Sequence, residues 1–263
     1  MLHYETTGYT YNPIAFLHGI GGTSRYWKAR VAPLETQHQL IFVDLLGFGK
    51  SPKPWTQYTV DRHVEELNRV LQKYESLTLV GHSFGAITAL AFAARHPELV
   101  RNLVLISLPC FRNKESAVHY YSNLPPPDRY IMTNIAFAAV ACVMTRRVLR
   151  GVLPYIIRDK PREIVQDLTQ HTWRSYTSSV WDGMYHHDLF ADAEHLNPDC
   201  SKLFLHGEHD RTAPLSGIQQ LVANHPDWEL RVLPGCDHHP LIRNPEWCLE
   251  GIRSVIGEQY ADA

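Results

Sequence analysis

The chain reads as an α/β protein with a mostly parallel central sheet, helices on both of its faces and an inserted helical segment. Three observations predict this. Short apolar runs alternate with longer amphipathic segments over the first hundred residues, and the same beat resumes after residue 196. Those runs are continuous rather than alternating, as strands buried on both faces are. Between them, roughly Phe111 to Leu196, apolar stretches at helical spacing occur without a convincing strand.

In chain order, Ile14 to Leu17 is a buried strand ended by His18-Gly19, with only Leu2 to Thr7 ahead of it, and Leu40 to Val43 is a second strand ended by Asp44. Asp61 to Tyr74 reads as a helix: Val64, Leu67, Val70 and Leu71 recur at helical spacing and Asp61 suits the N-cap. Strand Leu77 to Val80, helix Ala86 to Arg95 and strand Val100 to Ile106 follow. In the middle segment one helix is expected from about Tyr130 to Arg150, with Arg146, Arg147 and Arg150 in its last turns and Gly151 as its cap. Strand Leu203 to Leu205, a helix around Leu215 to Val222, strand Glu229 to Leu233 and a helix from Pro245 to Ile256 close the chain. The core is thus expected over 1–110 and 197–263, with 111–196 as an inserted helical cap, or lid, over the site.

Bulk composition narrows the function. With 263 residues and 44% hydrophobic residues the chain can bury a large core. Its formal charge of −2 implies no global field suited to nucleic acid. The five cysteines (110, 142, 200, 236 and 248) are dispersed and form no C-x-x-C, so neither a disulfide framework nor a zinc ribbon is expected. The N-terminus lacks the pattern of a signal peptide, and Ile131 to Met144 is too short to span a bilayer. A cytoplasmic setting is expected, with no membrane span; oligomeric state is left open.

The chemistry centres on Gly81-His82-Ser83-Phe84-Gly85, a G-x-S-x-G between a predicted strand and a predicted helix. Such a turn is sharp enough to lift a serine hydroxyl clear of the sheet. Its flanking glycines keep strand and helix from colliding. A serine needs a base to take its proton, and the chain order Ser, Asp, His directs the search to the last third. Gly235-Cys236-Asp237-His238-His239-Pro240 follows a strand there, and His238 and His239 both compete for the base. Asp210, in His206-Gly207-Glu208-His209-Asp210 after the preceding strand, is the acid that would orient the imidazole; Glu208 is its substitute, and Asp237 is poorly placed. Two N–H donors for a developing oxyanion are assigned to the backbones of Ile20, in the glycine loop His18 to Thr23, and Phe84.

Together these segments resemble the α/β-hydrolase superfamily, specifically its compact, lid-bearing, esterase-like serine hydrolases. His18-Gly19-Ile20-Gly21 is similar to its HGxG loop, Asp44 to Ser51 to its D-x-x-G-x-G-x-S turn, and Gly81 to Gly85 to its elbow. Gly207 to Asp210 with Pro214 resembles its acid loop, and Gly235 to Pro240 followed by Pro245-Glu246 its histidine loop. The resemblance covers all but the insertion and implies the α/β-hydrolase fold. It also favours His238 over His239, because the family's histidine stands two before the proline. Asp237 departs from the glycine usual before that histidine. Serine at the elbow, where dehalogenases and epoxide hydrolases of this fold carry aspartate, implies acyl transfer.

The expected activity is hydrolysis of carboxylic esters, thioesters or lactones of small to medium, fairly apolar substrates through an acyl-Ser83 intermediate, with no cofactor. Carbon–carbon bond hydrolysis or a lyase reaction with the same triad is the first alternative, and a hydrolase-like ligand receptor the second. Gly47-Phe48-Gly49-Lys50-Ser51 imitates a P-loop, but Asp44 stands where its first glycine is required. Adjacent histidines (His186-His187 and His238-His239) do not share a helix face, so no metal is expected.

Overall fold

The computed structural model describes residues 1–8 and 12–257. Among the described residues, seven strands form one sheet in the order β1-β3-β2-β4-β5-β6-β7. They are β1 (Tyr4–Thr7), β2 (Pro13–Leu17), β3 (Gln39–Val43), β4 (Leu77–His82), β5 (Val100–Ile106), β6 (Ser201–Gly207) and β7 (Glu229–Leu233). Only β1 runs antiparallel, against β3; every other pairing is parallel.

Side chains on successive strand residues point to opposite faces, and β2 shows both being used. Ala15 and Leu17 join one apolar cluster, Ile14 and Phe16 the other, and all four are fully buried. The first cluster takes in α2 (Val60–Leu71) and α3 (Phe84–Arg95); the second takes in α13 (Pro245–Ile256) and residues near α1 (Lys28–Val31). A sheet covered on both faces is what the unbroken apolar runs require.

The helices between β5 and β6 are α4 (Lys114–Ser122), α5 (Asp128–Thr133), α6 (Ile135–Arg147), α7 (Leu153–Ile156), α8 (Arg162–Asp167), α9 (Trp173–Ser178) and, after a wide turn over Ser179–Met184, α10 (Leu189–Glu194). Beyond β6 come α11 (Leu215–Ala223) and α12 (Pro240–Arg243).

Two expected helices differ. The helix expected from Asp61 starts at Val60, because Thr59 supplies the cap, its hydroxyl accepting the Arg62 N–H. Asp61 sits instead in the first turn and pairs with Arg95 at 2.6 Å. The single helix expected from Tyr130 to Arg150 is two. Asn134 leaves helical geometry (φ −126°, ψ 104°), and its side chain accepts the Phe137 N–H, ending α5 and capping α6. An asparagine competes for backbone donors in this way. Helix α6 then ends at Arg147 with Val148 as its cap, so Gly151 lies beyond it.

Candidate active site

Strand order explains why the site forms where it does. The chain moves outward from β2 to β3 and then returns to place β4 on the other side of β2. The loops after β2 and β4 therefore diverge at the C-terminal edge of the sheet, leaving the kind of crevice where ligands of open α/β sheets bind. Ser83 follows β4 and Gly19-Ile20 follow β2.

At the elbow Ser83 has φ 55° and ψ −123°, a conformation that non-glycine residues rarely hold. Its neighbours show why it is retained. A Cβ on Gly81 would lie 2.4 Å from the Gly85 carbonyl oxygen, and one on Gly85 would lie 2.3 Å from that of Leu17. The backbone is thus clamped between α3 and β2.

Three side chains from three loops then meet. Ser83 Oγ lies 2.9 Å from His238 Nε2, and His238 Nδ1 lies 2.7 Å from Asp210 Oδ2. A carboxylate only accepts, so Nδ1 carries the proton, Nε2 accepts and the serine hydroxyl donates. The other oxygen of Asp210 accepts the N–H groups of Thr212 (2.9 Å) and Ala213 (2.8 Å). Burial pushes the Asp210 carboxyl up. The charge and hydrogen bond of His238, the Ala213 amide and His206 outweigh that and hold it below its usual range.

His239 turns away from this line. Its ring stacks on His82 (5.3 Å between centroids) and lies 6.1 Å from Tyr26. The other carboxylates of the region are engaged elsewhere. Glu208 accepts the Gly235 N–H at 2.8 Å, while Asp237 accepts the His239 N–H and pairs with Arg243.

Phe84 follows Ser83 in the chain, and Gly19, the neighbour of Ile20, packs against Ser83. Gly19 to Gly22 form a tight turn closed by Gly22 N–H to Gly19 C=O (3.0 Å), with Gly21 at φ +75°. This bond leaves the Ile20 N–H outside the turn. Gly19 packs so closely that a Cβ there would lie 2.9 Å from that of Ser83. The Phe84 N–H opens α3, where helix N–H groups have no partner within the helix and the dipole is positive.

Several supporting residues are absent from the expected set. His18 accepts the Leu45 N–H at Nε2 (3.0 Å), so its Nδ1 donates to the Gly19 carbonyl (2.8 Å). Asp44 accepts the N–H groups of Ser24 (2.7 Å) and Lys50 (2.8 Å), tying the turn after β3 to the loop after β2. His82 donates from Nε2 to the His238 carbonyl at 2.9 Å and is stacked under Tyr26 (4.6 Å). The only sequence signal for His82 is its place beside Ser83.

Helices between β5 and β6 fasten to these same loops. Thr23 donates to Asp167 at 2.6 Å and Arg25 pairs with it at 3.0 Å. Tyr121 donates to the Thr212 carbonyl (2.7 Å), beside Asp210, and Ser175 to that of Gly47 (2.9 Å). His171 places its ring 6.1 Å from Phe48 and near Gly21.

Residues 12–125 match the family described as "alpha/beta hydrolase fold". Among curated proteins the chain is 25% identical over 260 residues to "Probable lysophospholipase BODYGUARD 1" of Arabidopsis thaliana, covering 87% of this chain and 55% of that one. The chain thus spans about half the length of that relative. It is 24% identical over 241 residues to 2-hydroxy-6-oxo-6-(2'-aminophenyl)hexa-2,4-dienoic acid hydrolase of Metapseudomonas resinovorans, covering 89% and 80%. Among solved structures, bromoperoxidase from Bacillus anthracis superposes with a TM-score of 0.79 at 19% identity, covering 98% of this chain and 95% of that one. By sheet order and structural likeness, the chain has the α/β-hydrolase fold.

Proposed function

We propose that the protein is a serine hydrolase that cleaves carboxylic esters, thioesters or lactones through an acyl-Ser83 intermediate. The observation that carries this is the line Ser83 Oγ, His238 Nε2, His238 Nδ1, Asp210 Oδ2, with gaps of 2.9 and 2.7 Å. His238 takes the hydroxyl proton as Ser83 Oγ bonds to the substrate carbonyl carbon, and Asp210 stabilises the imidazolium formed. The N–H groups of Ile20 and Phe84 receive the negative oxygen. Nε2 returns the proton to the leaving oxygen or sulfur as that bond breaks. A water deprotonated by His238 then attacks the acyl carbon, and His238 returns that proton to Ser83 Oγ as the acyl–Oγ bond breaks and the acid leaves.

The helices over 111–196 act in this reading as a lid. Their fastening to Thr23, Gly47 and Thr212 supports that role. A relative named for a dienoic acid motivates a second reading, carbon–carbon hydrolysis with the same three residues. Product analysis on a diketone panel separates the two.

The test is intact mass after an alkyl fluorophosphonate. Wild type is expected to gain one adduct and Ser83→Ala none. An unlabelled wild type, with no hydrolysis across an ester, thioester and lactone panel, overturns the proposal.

A further inference from the structure

Helix α6 is oriented unusually for a helix on a folded surface. Its inward face is narrow, with Ala138 and Cys142 buried. The Cys142 thiol lies 3.4 Å from Nε2 of His171, the ring beside Gly21. The outward face carries Phe137, Val140, Val143 and Met144, residues at the spacing of one helix side, and Val140 is 62% exposed. An amphipathic helix turns such a stripe to the core; here it faces solvent. The apolar surface continues past the helix in Val148 (61% exposed) and through Tyr155 and Ile156 (64% exposed). At the other end Tyr130 meets Phe137 at 5.5 Å. Contiguous apolar surface of this kind marks an interaction site.

Charge identifies the partner. Residues 129–162 hold seven Lys and Arg against a single Asp, in a chain whose formal charge is −2. Arg146, Arg147 and Arg150 are exposed and have no ion-pair partner among the described residues. Arginines lie over Tyr130 (4.6 Å) and Tyr155 (5.1 Å), pairing cation with aromatic ring at the rim. Apolar side chains interleaved with arginine and rimmed by tyrosine match the water–lipid boundary of an anionic bilayer. At 13 residues, α6 is about 20 Å long, short of the roughly 30 Å a span needs. No described helix is long and apolar enough to cross a membrane.

We infer that the α6–α7 face is a peripheral membrane-docking surface. It lays Phe137, Val140, Met144, Val148 and Ile156 into the interface of an anionic bilayer while Arg147 and Arg150 meet lipid phosphates. Because α6 is one helix thick between that face and His171, docking sets the lipid directly above the loop after β2. This goes beyond the proposed hydrolysis and stands without it, since its test reads lipid partition rather than turnover.

The experiment is co-flotation with vesicles of phosphatidylcholine alone and of phosphatidylcholine with 30 mol% phosphatidylglycerol. Partition onto the anionic vesicles is expected, falling in high salt as surface charge is screened. Val140→Asp with Met144→Asp is expected to reduce it at least tenfold. Arg147→Gln with Arg150→Gln is expected to reduce it on the order of tenfold. These outward positions leave the fold intact, which an unchanged thermal midpoint and unchanged fluorophosphonate labelling of Ser83 check. Equal absence of binding to both vesicles overturns the inference. So does a concentration-dependent dimer dissolved by the Asp pair, which makes the face a contact between copies of this chain.

Discussion

The imidazole of His82 donates from Nε2 to the backbone carbonyl of His238 at 2.9 Å, and so the residue beside the elbow serine holds the loop that carries His238. Tyr26 and His239 both pack against that ring. His82→Phe keeps the stack and removes the donor, leaving a carbonyl without its partner at a cost of about 1–3 kcal/mol. We predict slower fluorophosphonate labelling of Ser83 and a kcat lowered about 10- to 100-fold, with KM nearly unchanged. His82→Gln, which restores a donor, recovers part of the loss. Equal loss in both variants removes the positioning role.

Asp210 is predicted to matter through the tautomer of His238. Asp210→Asn leaves the packing nearly isosteric but lets the amide donate toward Nδ1, moving the proton to Nε2, where it cannot accept from Ser83. Activity at neutral pH is expected to fall on the order of 10³- to 10⁴-fold while the thermal midpoint changes little. Steady-state kinetics with circular dichroism melts check this, and retention of activity within tenfold contradicts the role.

Acid stability is set in part by buried neutral histidines. Burial, then the nearby His18, holds His63 down to about 3, and both its ring nitrogens lack a hydrogen-bond partner among the described residues, in a pocket shared with Phe84 and Tyr58. Burial, then His238, likewise holds His82 at about 3. Unfolded histidines titrate near 6.5. Below that pH the unfolded chain binds protons that the native chain refuses. The stabilisation is therefore fully present above about pH 6.5 and is lost as pH falls toward 3, by about 1.4 kcal/mol per pH unit per group. His63→Phe is expected to flatten the decline. Denaturant midpoints from pH 7 to 4 measure it, and identical slopes in wild type and variant defeat the assignment.

Glycines separate elbow geometry from ordinary turns. A methyl on Gly85 would stand 2.3 Å from the Leu17 carbonyl oxygen and 2.5 Å from that of His18, whereas one on Gly151 meets nothing within 4 Å. Gly85→Ala is predicted to destabilise by about 3 kcal/mol or more. Gly151→Ala should be neutral or stabilising by about 0.4–1 kcal/mol through the unfolded chain. Thermal or urea unfolding of both proteins decides the contrast.

The legible parts of this protein were those written in local chemistry. Continuous apolar runs announced β2, β3, β4 and β5, because a strand buried on both faces has no polar side to show. Ser83 stood out because its flanking glycines answer to a backbone crowding that sequence records. Asn134 shows the limit: surrounded by apolar residues at helical spacing, it splits one expected helix into α5 and α6 through a single side-chain bond to Phe137. The net charge of −2 likewise hid a basic, apolar face, since a sum over the chain carries no position.

Sequence by itself determined the strand–helix alternation, the elbow and a short set of acids and bases, because periodicity and turn chemistry act over a few residues. The family pattern favoured His238 over His239, while tertiary structure alone set its distances to Ser83 and Asp210 and decided that His82 grips its carbonyl. It alone turned the apolar side of α6 outward. Those outcomes depend on how loops separated by up to 156 residues converge at one sheet edge, and on which neighbours are left to cover a helix. Both are properties of packing, which no local pattern contains.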